Sequence, residues 1–303
     1  DGNEILKYEV SFDLEKVKFI LEHYPKLNID FGDYSKIYLK TTENISAYFS
    51  LIDMKGKDIL LPAASGEHLL NAYSYGAKEV TCFDINTLAF LETDLKVNIV
   101  KHLSLEDYLK FFETDLLNYS IYEKVAPFLK EETRTFFDYL YSNFKIEEIL
   151  RRIFYYQYLN PLSKVTKNQQ FLKPESYEAL KDRLQPEDIC YLKGDLFNLR
   201  KALGDLKFDG IITSNISDSV VKVFPENYEK KYLQTIHELS KHLKKDGFIQ
   251  MAYVYDYFIT YYANYFKYEK NMTVKNDHFE FHSIKGYSTP TSKDGVLVWK
   301  KAK

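Results

Sequence analysis

Hydrophobic and polar positions follow two rhythms along the chain. Short apolar runs at Ile59–Leu61, Val80–Phe83, Ile189–Leu192, Phe208–Ser214, Phe248–Tyr253, Glu280–Ile284 and Gly295–Lys300 have the length and side chains of strands. Between them lie segments with helical spacing. Phe12–Tyr24 predicts an amphipathic helix with Leu14, Val17, Phe19, Ile20 and Leu21 facing a core, stopped by Pro25 and the cluster Asn28–Gly32. Asn86–Lys101 predicts another, with Leu88, Leu91, Leu95 and Ile99 on one stripe and Asn86 as its N-cap. Helices are also expected over Glu67–Tyr75 and Tyr228–Leu243. From Leu103 to Pro186 the pattern is helical and polar-aromatic with no convincing strand, and Ser104–Asp107 reads as a capping arrangement. Thr41-Thr42-Glu43-Asn44-Ile45 reads either as a helix start or as a segment lying across a ligand crevice.

The stretch Lys57–Asn86 organises the rest. It runs strand, small-residue loop (Ala63-Ala64-Ser65-Gly66), helix, a Gly76 C-cap, strand, and then an acid, Asp84. That is half of a doubly wound nucleotide-binding sheet. Small residues let backbone N–H groups approach a ligand, and a carboxylate closing the second strand can accept hydrogen bonds from both ribose hydroxyls. A dinucleotide fingerprint needs three glycines, whereas this loop has Gly66 alone. S-adenosylmethionine carries no phosphate and asks less of the turn. An ordinary βαβ unit with no ligand is the plain alternative.

Parallel strands deliver their C-terminal ends to one edge of the sheet. The expected fold is therefore α/β: a doubly wound, mostly parallel, Rossmann-like sheet of the class I methyltransferase pattern, with a helical insertion and a terminal antiparallel strand pair. The expected division is an N-terminal helical segment over 1–51, a cofactor domain over 52–102 and 187–303, and a helical insertion over 103–186 that selects substrate or acts as a lid. Candidate cofactor residues are Ala63, Ala64, Ser65, Gly66, Asp84, Ile85, Asn86, Asp195, Leu196 and Asn215, with Thr42 and Asn44 from the upstream segment. Asp84 would face ribose, Asp195 the adenine amino group, and Asn215 to Asp218 the sulfonium and the acceptor. Asn215 and Asp218 are the candidate catalytic residues, Asp218 orienting or deprotonating a nucleophile. Tyr253 and Tyr255 are candidates to face the sulfonium through their ring faces. For each acid or amide the alternative is a helix cap, and for each tyrosine it is packing.

The segment Ser65–Asn86, followed by Leu91–Phe112, resembles the bacterial family that contains betaine-lipid-type aminocarboxypropyl transferases of diacylglycerol. The likeness rests on Lys101, Leu103, Ser104, Glu106, Asp107, Tyr108 and Leu109 after a leucine-rich helix. Thr41–Asn44 and Ser214–Asp218 are similar to motifs in relatives of that family. The resemblance implies a class I methyltransferase fold and S-adenosylmethionine as cofactor. It leaves methyl and aminocarboxypropyl transfer both open.

Composition narrows the remaining choices. A formal net charge of −3 gives no overall pull towards nucleic acid, so the expected acceptor is a small molecule or lipid-like compound and no nucleic-acid partner is expected. Cys82 and Cys190 each fall in a predicted strand and read as core residues of a reducing, cytoplasmic protein. No apolar run approaches the ~18 residues of a membrane span. Paired Cys/His spacing, H-E-x-x-H, G-x-S-x-G and the Walker lysine motif are absent from the sequence, so no metal site is expected. Two functions from different classes stand: a transferase using S-adenosylmethionine, and a catalytically silent binding protein that keeps the fold.

Overall fold

Strand formation follows the apolar runs closely. In the computed structural model, which describes residues 10–28, 32–155, 169–217, 226–256, 278–287 and 293–301, the strands are β1 (Asp58–Pro62), β2 (Glu79–Asp84), β3 (Cys190–Lys193), β4 (Phe208–Ile212), β5 (Leu243–Val254), β6 (His278–Lys285) and β7 (Lys293–Lys300). They form one sheet in the order β3-β2-β1-β4-β5-β7-β6. The first five pair in parallel, and β7 lies antiparallel between β5 and β6. This is the class I methyltransferase topology. Strand order reverses at β1, so the switch point lies between the neighbouring strands β1 and β4, with the crevice outside their C-terminal ends.

Among the described residues the α-helices are α1 (Leu14–His23), α2 (Ile45–Phe49), α3 (Glu67–Ser74), α4 (Thr87–His102), α5 (Leu105–Leu109), α6 (Tyr119–Val125), α7 (Glu131–Asn143), α8 (Ile146–Ile153), α9 (Pro174–Arg183), α10 (Leu199–Leu203) and α11 (Tyr228–Ser240). Asp13, Asn44, Asn86, Ser104 and Asn118 accept backbone N–H groups as N-caps of α1, α2, α4, α5 and α6. Two sequence expectations change. Phe19 is 57% exposed and rests against His23 instead of the core. The helix opening after Thr41 begins at Ile45, and its cap is Asn44 rather than a threonine.

The largest departure is α4. The spacing predicts one apolar stripe, yet every residue from Thr87 to Val100 is buried, because the helices of residues 105–183 cover the face turned away from the sheet. Its polar residues must then find partners inside. Asp94 accepts from the backbone N–H of Lys130 at 3.1 Å and from Asn98 at 3.1 Å. Lys96 donates to the carbonyl of Leu39 at 2.8 Å, lies 4.6 Å from the Phe112 ring centroid, and stands between Glu67 (3.8 Å) and Glu92 (3.7 Å). Burial pushes the Glu92 carboxyl well above its ordinary range, against the pull of Lys96.

Removing that ammonium would leave two buried acids facing each other. Lys96→Met is expected to lower stability by about 3 kcal/mol or more in chemical denaturation, since breaking one side of a buried ion pair strands the other. Lys96→Met combined with Glu92→Leu should recover part of the loss.

Candidate functional site

The strand ends and the N-terminal segment enclose a cavity of about 470 Å³. Its floor is Pro62 and Ala64 after β1, Phe83 to Asn86 at the end of β2, Gly194 to Asn198 after β3, and Ser214 to Ile216 after β4. Gly32 and Ser35–Tyr38 form a roof with Tyr155, and Lys231 reaches in from α11. Tyr38 and Tyr155 stack with centroids 4.4 Å apart. The roof is tied down beside β2: Asn86 donates to the Ser35 carbonyl at 2.9 Å, and Asp33 accepts from Thr87 N–H at 3.0 Å and from the Lys193 ammonium.

Asp84 sits at the centre of this floor. Its Oδ2 accepts from Ala64 N–H at 3.1 Å and its Oδ1 from Asn86 N–H at 3.0 Å. A carboxylate has about four lone-pair sites, more than its backbone partners fill, so the group keeps acceptor capacity for a ligand. Burial pushes its pKa up to about 6, while the N–H groups of Asn86, Ala64 and Ile85 pull the other way.

The first loop is tight. Ala64 and Gly66 both have positive φ, 46° and 77°. A Cβ on Gly66 would also lie 3.2 Å from the Cα of Thr93 in α4, so close helix approach and backbone conformation both require glycine there. Gly66 N–H closes a turn onto the Ala63 carbonyl at 2.7 Å, and the Ser65 hydroxyl meets Glu67 Oε2 at 3.3 Å.

Of the residues the sequence singled out, Ala64, Asp84, Ile85, Asn86, Asp195, Leu196 and Asn215 line the cavity together. Ala63, Ser65 and Gly66 lie behind its surface, and Asp218 falls outside the described residues. Asp195 accepts from the N–H groups of Phe197 (2.8 Å) and Asn198 (3.0 Å), shaping the turn into α10. Thr42 shares a hydrogen bond with Tyr255 at 2.7 Å, and Asn44 donates to the Lys285 carbonyl at 2.8 Å. Tyr253 accepts from Asn44 N–H at 3.0 Å and donates to Asp294 at 2.5 Å. None of these four lines the cavity.

Sequence reasoning missed the roof residues and two buried polar groups, Glu43 and Gln250. Glu43 is 3% exposed, and its Oε1 accepts from the Ser214 hydroxyl and from Asn215 N–H at 3.1 Å. Gln250 Oε1 accepts from the N–H groups of Thr213 (3.0 Å) and Ser214 (2.8 Å). A signal for Gln250 was present: it is the lone amide in the apolar run Phe248–Tyr253.

Neither a family model nor a curated protein matches the chain. Solved structures similar to it include a protein from Streptococcus mutans described as a SAM-dependent methyltransferase (13% identity, TM-score 0.42). The match covers 86% of this chain and 47% of that one, so this chain spans about half its length. An rRNA methylase from Streptococcus thermophilus matches over 88% of this chain and 99% of its own (9%, TM-score 0.39). The N-methyltransferase NodS from Bradyrhizobium japonicum, in complex with S-adenosyl-L-homocysteine, matches over 81% and 78% (8%, TM-score 0.39). The fold assignment stands on the strand order itself. One expectation is corrected: the absence of a nucleic-acid partner does not stand, because a matched structure is an rRNA methylase. Net charge averages over the whole surface and says nothing about a local face on which such an acceptor docks. Among the described residues, no helix is long and apolar enough to cross a membrane.

The Asp84 carboxyl is expected to titrate near pH 6 in the free protein, followed by carbon NMR of selectively labelled aspartate, with that transition missing from Asp84→Asn. A transition near pH 4 would mean that solvent reaches the group freely.

Proposed function

We propose that the cavity binds S-adenosylmethionine and that the protein is a methyltransferase acting on a small-molecule acceptor. The carrying observation is Asp84, an acid at the C-terminal end of β2 on the cavity floor, whose oxygens accept from the backbone N–H groups around it and keep acceptor capacity towards the cavity. Ribose hydroxyls on Asp84 would place the adenine against Ile85 and Leu196, beside Asp195, and the sulfonium towards Ala64 and Ser214–Ile216. The volume, about 470 Å³, is of the size that small-molecule sites have. When bound, the cofactor supplies an electrophilic carbon on a sulfonium leaving group. The chain's task is positioning: an acceptor held in line within ~3–3.5 Å gains most of its rate from that geometry. Asn215, half-buried at the sulfonium side, is suited to orient an acceptor by its amide. Tyr155, at the end of α8, brings the helical insertion to the same cavity and gives it a part in acceptor choice.

The likeness of the Gly66–Phe112 stretch to aminocarboxypropyl transferases supports a second reading, attack on the aminocarboxypropyl carbon. The spent cofactor distinguishes them: S-adenosylhomocysteine marks methyl transfer and methylthioadenosine the alternative.

Calorimetry tests the cofactor reading. Wild type should bind S-adenosylmethionine, and Asp84→Ala should weaken binding about 10- to 100-fold, the worth of hydrogen bonds to a charged group. No binding at millimolar ligand would leave the silent-scaffold reading. Ribose hydroxyls favour the ionised carboxylate, so binding draws the Asp84 pKa down from about 6. Affinity should therefore rise as pH rises from about 5 to about 7 and then level off, with proton release on binding below pH 6; Asp84→Asn should show neither.

A further inference from the structure

We infer that Glu43 is the positioning residue for the sulfonium end of the cavity, acting through Ser214 and Asn215; this rests on the cofactor reading above. Ser214 follows β4 in a left-handed conformation, φ 57°, rare for a residue with a Cβ. The backbone there is already held without Glu43. Gln250 takes the N–H groups of Thr213 and Ser214, and the Ser214 carbonyl accepts from Tyr253 N–H at 3.0 Å and from Gln250 Nε2 at 3.3 Å.

Glu43 adds something different. Its Oε1 takes the Ser214 hydroxyl and the Asn215 N–H, the polar groups next to the cavity surface. Its Oε2 is fixed from behind by the Tyr48 hydroxyl at 3.0 Å and by His68 Nε2 at 3.3 Å. The carboxyl group is thus gripped by α2 and α3 on one side and orients the β4 turn on the other. Such a buried acid is stable only with a full set of donors, and here half of that set belongs to the cavity wall. Strand order separates this wall from the adenine side: β4 and β3 lie on opposite sides of the β1–β2 pair. Glu43 should therefore matter for the amino-acid half of the ligand and not for its nucleoside half.

Calorimetry with two probes, S-adenosylhomocysteine and methylthioadenosine, tests this on wild type, Glu43→Ala and Glu43→Gln. Glu43→Ala should weaken S-adenosylhomocysteine about tenfold or more and methylthioadenosine less than about threefold, the scale of one or two lost hydrogen bonds. Glu43→Gln should restore most of the affinity, because its amide oxygen can accept the same two donors. Equal loss for both probes, or no gain from Gln over Ala, would reduce Glu43 to a structural role and overturn the inference. Should Glu43→Ala fail to fold, Ser214→Ala gives the same reading: selective loss of S-adenosylhomocysteine supports it and unchanged affinity sinks it. Wild type binding neither probe removes the cofactor reading, and this inference with it.

Discussion

The segment Lys36–Asn44 is buried along almost its whole length, yet apart from one bridge between Ile37 and Phe154 it belongs to no ladder or helix. Backbone groups so placed must be satisfied by something, and water cannot reach most of them. Side chains from distant elements do it. Lys96 supplies the Leu39 carbonyl, Glu67 takes the Thr41 N–H, and the Tyr253 hydroxyl takes the Asn44 N–H. The segment's own side chains reciprocate: Lys36 donates to the carbonyls of Arg151 and Phe154, and Lys40 pairs with Glu113 at 3.0 Å. An irregular strap across the strand ends accounts for the burial of Lys36, Lys40, Glu67 and Lys96.

That constraint couples the site to the helical half of the molecule. Glu67 starts α3 directly after the cofactor-type loop, and it both holds Thr41 and faces Lys96 of α4. Lys96 in turn holds the strap beside Tyr38, which roofs the cavity. Loop, roof and central helix therefore share one set of buried charges. A group removed from that set would be felt in the cavity as well as in stability, because its partners have nowhere else to turn.

The sheet was legible in the sequence because its signals are local. Lys57–Asn86 contains a strand, a loop, a helix and a strand within thirty residues, and Asp84 follows from the position where β2 must end. The site's other half was not legible for the opposite reason. Glu43 meets Ser214 across 171 positions, and Thr42 meets Tyr255 across 213. No periodicity encodes such contacts. The segment stood out as a polar stretch between Leu39 and Ile45, and Thr42 and Asn44 were its visible members, but the acid between them reaches the cavity wall. The α4 stripe misled in a related way: Glu92, Asp94 and Lys96 look like a solvent face until the helices of residues 105–183 cover them.

The loop itself discriminates between ligand classes. A pyrophosphate needs backbone N–H groups turned towards it at a helix N-terminus. Here Ala64 N–H is directed at Asp84 and Gly66 N–H at Ala63, so two of the donors that would cradle an anion are already engaged. The turn is also closely packed: a Cβ on Gly66 would lie 3.2 Å from the Cα of Thr93 in α4. The geometry therefore offers a pyrophosphate no open cradle at this turn, and Gly66 answers both to its left-handed backbone and to the close approach of α4.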